Sequence, residues 1–305
     1  MQVKGVTMEI KKVGIIGTGT MGLGVTQVVA TAGLDVVAVK ATPGSTERAR
    51  QTLEGSLAKI VERGKLSTES RDAILGRVMF SSSEQDIAGC DLVVESVLED
   101  INTKKSLFQR LERIVSKECI LATNTSTLSV TEMMAVCNER GRVAGLHFFN
   151  PAPVMKLIEV IHAFETSAKT VTTLMEFSRK VGKDPVLVQD TTGFIVNRLL
   201  TPYMLEAIRL LEHGTGTIDA IDHAMMTGSG MPMGPFSLAD YIGLDVVLAM
   251  SHNIYQDVRQ QYCSAPHTLI RLVQLGYLGR KTNKGFYDYA KKPAIPNPQL
   301  KHPVA

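Results

Sequence analysis

The side chains best suited to moving a proton lie in one short stretch, Gly145-Leu-His-Phe-Phe-Asn-Pro-Ala-Pro-Val-Met-Lys-Leu-Ile-Glu159. His147 closes an apolar run that begins at Val143, a proline-bracketed loop follows, and Glu159 stands in a second apolar run. An imidazole titrates near neutral pH, so it can take a proton from a substrate and return it within one turnover. A carboxylate bonded to its other ring nitrogen would fix the tautomer and stabilise the imidazolium. Such a pairing has to be spatial, and the sequence equally allows Glu159 to meet Lys156 at a surface. The other histidines (His162, His213, His223, His252, His267 and His302) show no ligand spacing, so no metal centre is expected.

Upstream, Gly17-Thr-Gly-Thr-Met-Gly22 fits the G-x-G-x-x-G pattern between a strand-like run and a helical one. Gly17 and Gly19 permit a tight turn that brings backbone N–H groups to a pyrophosphate, and Gly22 lets the helix pack against the strand. Thr20 and Met21 open that helix, whose N-terminus favours an anion. These five residues are the candidate dinucleotide contacts. About 20 residues further on, such sites place an acidic side chain for the adenosine ribose. Here the position holds Lys40, followed by Ala41-Thr42-Pro43-Gly44-Ser45. A carboxylate repels a 2′-phosphate, whereas Lys40, with Ser45 or Arg48, would neutralise one. Acceptance of NADPH as well as, or better than, NADH is therefore expected; the alternative is a Lys40 that points into solvent and leaves specificity relaxed.

These groups need elements to hold them. Lys12 to Ile16 and Asp35 to Val39 read as strands around a helix from Met21 to Ala32, ended by Gly33. A polar helix over about Thr46 to Arg63 follows, then strands at Leu92–Val97 and Ile120–Thr123 around an amphipathic helix, Asn102–Ser116. Val143–His147, Leu157–Ile161 and Val186–Val188 are three more strand candidates. Such alternation predicts an α/β fold with a doubly wound, largely parallel Rossmann-type sheet over residues 1–188. After Gln189 the texture turns helical, at Phe194–Glu212, Ile218–Thr227, Leu244–Val258 and Thr268–Leu275, with Gly- and Pro-rich breaks such as 228–235 between them. Residues 189–305 are thus expected to form a second, all-helical domain ending in a loose Pro- and Lys-rich tail.

Bulk composition excludes several roles. The 305 residues suffice for two cores, and a net charge of +3 with both signs interspersed carries no nucleic-acid footprint. Four scattered cysteines without Cys-x-x-Cys spacing argue against zinc or a disulfide framework and suit a reducing compartment. Val13 to Leu34 lacks charge, yet its six glycines and four threonines are too polar for a membrane span. The N-terminus shows no export signal, so a cytoplasmic protein without membrane attachment is expected.

Five motifs in one order carry a resemblance: Gly17 to Gly22, Asn124-Thr-Ser-Thr-Leu-Ser129, Gly145-Leu-His-Phe-Phe-Asn-Pro151, Asp190-Thr-Thr-Gly-Phe-Ile-Val-Asn-Arg198 and Pro232-Met-Gly-Pro-Phe236. Over about residues 12–290 the chain resembles the 3-hydroxyacyl-CoA dehydrogenase family, particularly its short bacterial 3-hydroxybutyryl-CoA members. The resemblance implies hydride transfer between NAD(P) and the 3-hydroxyl or 3-oxo group of a short-chain acyl-CoA, held in a cleft between the two domains, and a homodimer formed through the helical one. It places the catalytic His at His147, its Glu at Glu159, a substrate-contacting Ser at Ser126 and an Asn at Asn197. Further cofactor contacts would fall on Glu99, Lys104, Asn124, Ser126 and Asn150, and contacts to CoA on Ser56 and Arg63. Ser126 and Asn197 suit donation to the oxygen that gains charge. Taken alone, Ser126 equally suits a cap for the helix expected near Val130, and Asn197 a cap or surface residue. The family usually has an acidic residue where Lys40 stands, so cofactor choice does not carry over.

Two other readings compete. One keeps the chemistry but places the hydroxyacyl group on a carrier protein, or uses a free hydroxy acid, since a positive helix end of Lys59, Arg63 and Lys65 suits either handle. The other is a non-catalytic, cofactor-binding protein like the lens crystallins that resemble this family; an intact His147, Glu159, Ser126 and Asn197 argues against it.

Overall fold

The protein, seen here as a computed structural model, is described over residues 7–300. It separates into two compact units, one ending at Phe194 and the other beginning at Ile195. The break falls beyond the expected boundary at 188 because the intervening residues are tied to the first unit. The Asp190 carboxylate accepts from the backbone N–H of Val130 and Thr131 and from the Ser129 hydroxyl, and Phe194 is buried in that unit's core.

The first unit runs β1 (Lys12–Ile16), α1 (Thr20–Thr31), β2 (Asp35–Val39), α2 (Glu47–Glu62), α3 (Thr68–Gly76), β3 (Val78–Ser81), β4 (Leu92–Glu95), α4 (Ile101–Ile114), β5 (Ile120–Thr123), α5 (Val130–Met134), β6 (Val143–Phe148), β7 (Leu157–His162), α6 (Ala168–Lys180) and β8 (Asp184–Gln189). The strands form one sheet in the order β3-β2-β1-β4-β5-β6-β7-β8. From β3 to β6 all pairs are parallel, and the order reverses between β1 and β4, where ligands of such sheets bind beyond the strand C-termini. Alternate residues feed opposite faces: Ile15, Val36 and Val94 join one core with α1 and α2, while Ile16, Val37 and Val93 join the other with α4 and α5. Each such buried side chain contributes roughly 1.5–3 kcal/mol.

The loop 149–156 is too short for the helical crossover that parallel strands require, so β7 returns antiparallel to β6. β8 then pairs parallel to β7. The strand β3 and the helices α3 and α6 have no counterpart in the sequence reading. β3 is a short, half-exposed edge strand without clean alternation, and α6 is rich in Thr, a poor helix former that favours strands.

The second unit is helical as expected, with α7 (Val196–Glu212), α8 (Ile218–Gly228), α9 (Pro235–Ile242), α10 (Leu244–Val258) and α11 (His267–Gln274), plus a two-stranded ribbon of β9 (Tyr287–Asp288) and β10 (Ile295–Pro296). Pro235, read from sequence as part of a break, instead opens α9 at its first helical position, where a missing N–H costs nothing. The Asp222 carboxylate caps that helix by accepting from the N–H groups of Phe236 and Ser237. Asp240 accepts from the N–H groups of Phe286 and Tyr287 and from the Tyr289 hydroxyl, pinning the ribbon. Burial pushes the Asp240 carboxyl up to about 6. The expected loose tail is partly fixed, since Asn297 is buried and bonds to Phe286 and Gly285; residues 1–6 and 301–305, which belong to the N-terminal and tail readings, lie outside the described residues.

Candidate active site

In the antiparallel β6–β7 pair, His147 and Glu159 stand directly opposite one another. Opposed residues project from the same face of a sheet with Cβ atoms about 5 Å apart, so strand register brings imidazole and carboxylate together. His147 Nδ1 lies 2.7 Å from Glu159 Oε2, with His147 3% and Glu159 1% exposed. This excludes the surface pairing of Glu159 with Lys156. A carboxylate facing Nδ1 suits a hydrogen on that nitrogen, which leaves Nε2 as the ring nitrogen turned away from Glu159. Ser126 Oγ is 3.2 Å from that nitrogen. The rings of Phe149 and Phe194 pack against the imidazole at centroid distances of 4.4 and 5.5 Å. Phe194 reaches it through two successive left-handed residues, Gly193 (φ 81°) and Phe194 itself (φ 49°), the latter a conformation that bulky residues rarely adopt.

Ser126 does not cap α5; Ser129 does, accepting from the Glu132 N–H. Instead, the Ser126 backbone N–H donates to Glu99 Oε1 at 3.0 Å, and the Thr125 hydroxyl donates to the same carboxylate. The other oxygen of Glu99 lies 3.2 Å from Lys104 Nζ. Lys104, 1% exposed, also donates to Glu95 at 2.6 Å. Asn124 joins three strand ends: its side chain donates to Ser96 Oγ at 3.2 Å and accepts from the Phe148 N–H at 2.8 Å. Of the cofactor candidates, Lys104 and Asn124 are thus engaged within the protein, while Glu99 remains part-exposed.

At the glycine turn, Gly17 adopts φ 109°, and a Cβ there would meet Ser96 O at 2.4 Å. A Cβ on Gly22 would lie 1.8 Å from Gly17 O. Gly19 faces open space, with nothing within 4 Å of a built Cβ, and no side chain caps the first turn of α1 that Thr20 and Met21 begin. Two glycines close the turn and the third leaves room where an anion would approach, so these residues fit a dinucleotide. Beside them lies a cavity of about 550 Å³, lined in part by Gly19, Thr20, Lys40, Arg48, Ser56 and Asn150. Lys40 Nζ donates to the Pro43 carbonyl at 2.7 Å, and Ser45 Oγ accepts from the Glu47 N–H. Ser56 donates to Gln27 Oε1, and Arg63 is exposed at the C-terminal end of α2.

Asn197 stands in the first turn of α7, on the second unit. Sequence reasoning singled out neither Glu95, which has no exposed surface, nor Lys183, which donates to the carbonyls of Ala152 and Met155 and holds the loop after His147. Their only signal was a charged side chain at the edge of an apolar run. Burial lowers the Lys183 ammonium, with Lys156 adding repulsion. Among the described residues no His, Cys, Asp and Glu group could hold a metal, and no helix is long and apolar enough to cross a membrane.

A glycine turn at the sheet's switch point, with a paired imidazole and carboxylate on strands of the same sheet, is a layout that suits a dinucleotide-dependent oxidoreductase. Comparison with known proteins narrows the class. The profile of the 3-hydroxyacyl-CoA dehydrogenase NAD-binding domain matches residues 12–191, and that of the 3-hydroxyacyl-CoA dehydrogenase C-terminal domain matches residues 193–289. The chain is 41% identical over 280 residues to a 3-hydroxybutyryl-CoA dehydrogenase of Clostridioides difficile, covering 92% of this chain and 100% of that one. To the human mitochondrial hydroxyacyl-coenzyme A dehydrogenase it is 41% identical over 287 residues, covering 92% and 91%. The crystal structure of (S)-3-hydroxybutyryl-CoA dehydrogenase from Ralstonia eutropha superimposes with a TM-score of 0.89 at 37% identity, covering 93% of this chain and 100% of that one. The chain belongs to the 3-hydroxyacyl-CoA dehydrogenase family.

Proposed function

We propose that the protein interconverts a short-chain 3-hydroxyacyl-CoA and its 3-oxo counterpart, with His147 as the general acid and base. The observation that carries this reading is the buried His147–Glu159 pair with Nε2 turned toward Ser126. In the oxidising direction, His147 Nε2 takes the hydroxyl proton while Glu159 stabilises the imidazolium; in reverse the same nitrogen returns it. Ser126 donates to the substrate oxygen as it gains charge. Asn197 is the second such donor in this reading, on the strength of the resemblance alone. A bound nicotinamide supplies the hydride chemistry. Gly17, Gly19, Thr20, Met21 and Gly22 would hold the pyrophosphate, Glu99 and Asn150 would flank the cofactor, and Ser56 and Arg63 would meet CoA.

Cofactor choice turns on Lys40. Lys40 and Arg48 line one cavity, and among the described residues none that lines it is acidic. Release of the Pro43 carbonyl would free Lys40 for a 2′-phosphate, so NADPH is accepted at least as well as NADH. The relatives' names support an acyl-CoA substrate. A cytoplasmic homodimer, joined through the helical unit, completes the reading. A rate matrix of NADH and NADPH against acetoacetyl-CoA and acetoacetyl-carrier protein tests it. Turnover of acetoacetyl-CoA with both cofactors is expected. Turnover of the carrier-bound substrate alone would overturn the substrate assignment, and a strong NADH preference the cofactor one.

A further inference from the structure

We infer that Glu95 is a positioning residue for this reaction: through Lys104 and Glu99 it holds Ser126 against His147. The inference rests on the proton-transfer role proposed for His147 and Ser126. Glu95 ends β4 with no exposed surface, yet both its oxygens are engaged. Oε1 accepts from Lys104 Nζ and from the Val97 N–H, each at 2.6 Å, and Oε2 accepts from the Thr123 hydroxyl at 2.7 Å. Two routes lead from there to Ser126. The charged route passes through Lys104 to Glu99, which accepts from the Ser126 N–H. A neutral one passes through Thr123 Oγ1, which accepts from the Thr125 N–H at 3.2 Å, and Thr125 also donates to Glu99.

Stability does not explain this cluster, because a well-packed apolar pair usually serves as well as a buried ion pair or better. Geometry does. One buried ammonium shared by two carboxylates places Glu99 where it can also grip the Ser126 backbone. Without the Glu95 charge, Glu99 becomes the remaining carboxylate on a desolvated cation and is drawn toward Nζ, away from Ser126. A displacement near 1 Å at a reacting group costs on the order of a hundredfold in rate.

Glu95→Gln tests this, since the amide matches the carboxylate in shape and can keep bonds to Lys104, Val97 and Thr123. The expected result is a kcat about ten- to hundredfold lower in a protein that still melts as a folded chain. Because Glu95 acts through Ser126, adding Glu95→Gln to Ser126→Ala should cost little beyond Ser126→Ala alone. An unchanged kcat, or losses that multiply in the double variant, would each overturn the inference. Should Glu95→Gln fail to fold, the neutral pair Glu95→Gln/Lys104→Gln removes the buried charges together. There Glu99 loses the ammonium that places it, so kcat is again expected to fall, and wild-type turnover would refute the inference. Ser126→Ala at wild-type rate would likewise refute it while leaving the His147 assignment to be decided by His147→Ala alone.

Discussion

Glu159→Gln isolates the electrostatic part of the proposed mechanism. Glutamine keeps the shape of the side chain and can still accept from His147 Nδ1, so tautomer and ring orientation survive while the charge is lost. Glu159 is 1% exposed and its oxygen sits 2.7 Å from the ring, which puts the centres of charge about 4 Å apart. At an effective dielectric of about 20, that separation is worth roughly 4 kcal/mol to an imidazolium. Every 1.36 kcal/mol lost from the transition state slows turnover about tenfold. Since the proton is only partly transferred there, the expected fall in kcat is about 10²- to 10³-fold. The assay follows reduced nicotinamide at 340 nm with saturating acetoacetyl-CoA, alongside a thermal melt to confirm folding. A kcat within about threefold of wild type, or a matching loss of NADH affinity, would refute the electrostatic role.

Three further perturbations address other parts of the molecule. Gly22→Ala puts a methyl 1.8 Å from Gly17 O, so the turn must open; NADH Kd should rise at least about tenfold and Tm should fall, with overpacking costing roughly 1–3 kcal/mol, and wild-type NADH affinity would contradict the cradle. Lys40→Asp should lower kcat/KM for NADPH at least about tenfold while sparing NADH, through repulsion of a 2′-phosphate; equal losses with both cofactors would remove Lys40 from cofactor selection. Asp240 binds its proton more tightly when folded, up to about 6 from a usual 3.8, so its contribution to stability is full below about pH 4 and is lost as pH rises through 6. Asp240→Asn abolishes that titration, so the wild-type Tm should fall relative to that of the variant as pH rises from 4 to 7; a wild type that gains on the variant over that range would contradict the sign.

The sequence disclosed what depends on local pattern. The apolar runs Lys12–Ile16 and Asp35–Val39 match β1 and β2 because buried parallel strands read as continuous apolar segments, and the glycines between them mark a turn that tolerates no Cβ at 17 or 22. β3 and α6 were hidden because a short edge strand and a threonine-rich helix lack clear periodicity. At the site, His147 and Glu159 were visible as residue types, but their meeting depends on β7 running antiparallel in a register that pairs them, which needs the folded sheet. Glu99, Lys104 and Ser126 were named only through the family resemblance, and their linkage through Glu95 was invisible for the same reason. Its members come from the end of β4, the loop after it, α4 and the loop after β5, and each alone resembles an ordinary charged or polar residue.

The central claim is that His147 carries the proton, and its most direct test is kcat for His147→Ala in acetoacetyl-CoA reduction, with cofactor binding measured in parallel by NADH fluorescence, which no tryptophan in this chain obscures. The account predicts a loss of about 10²- to 10⁴-fold in kcat, the usual contribution of general acid–base catalysis, at an NADH Kd close to wild type. Turnover within about threefold of wild type would contradict it.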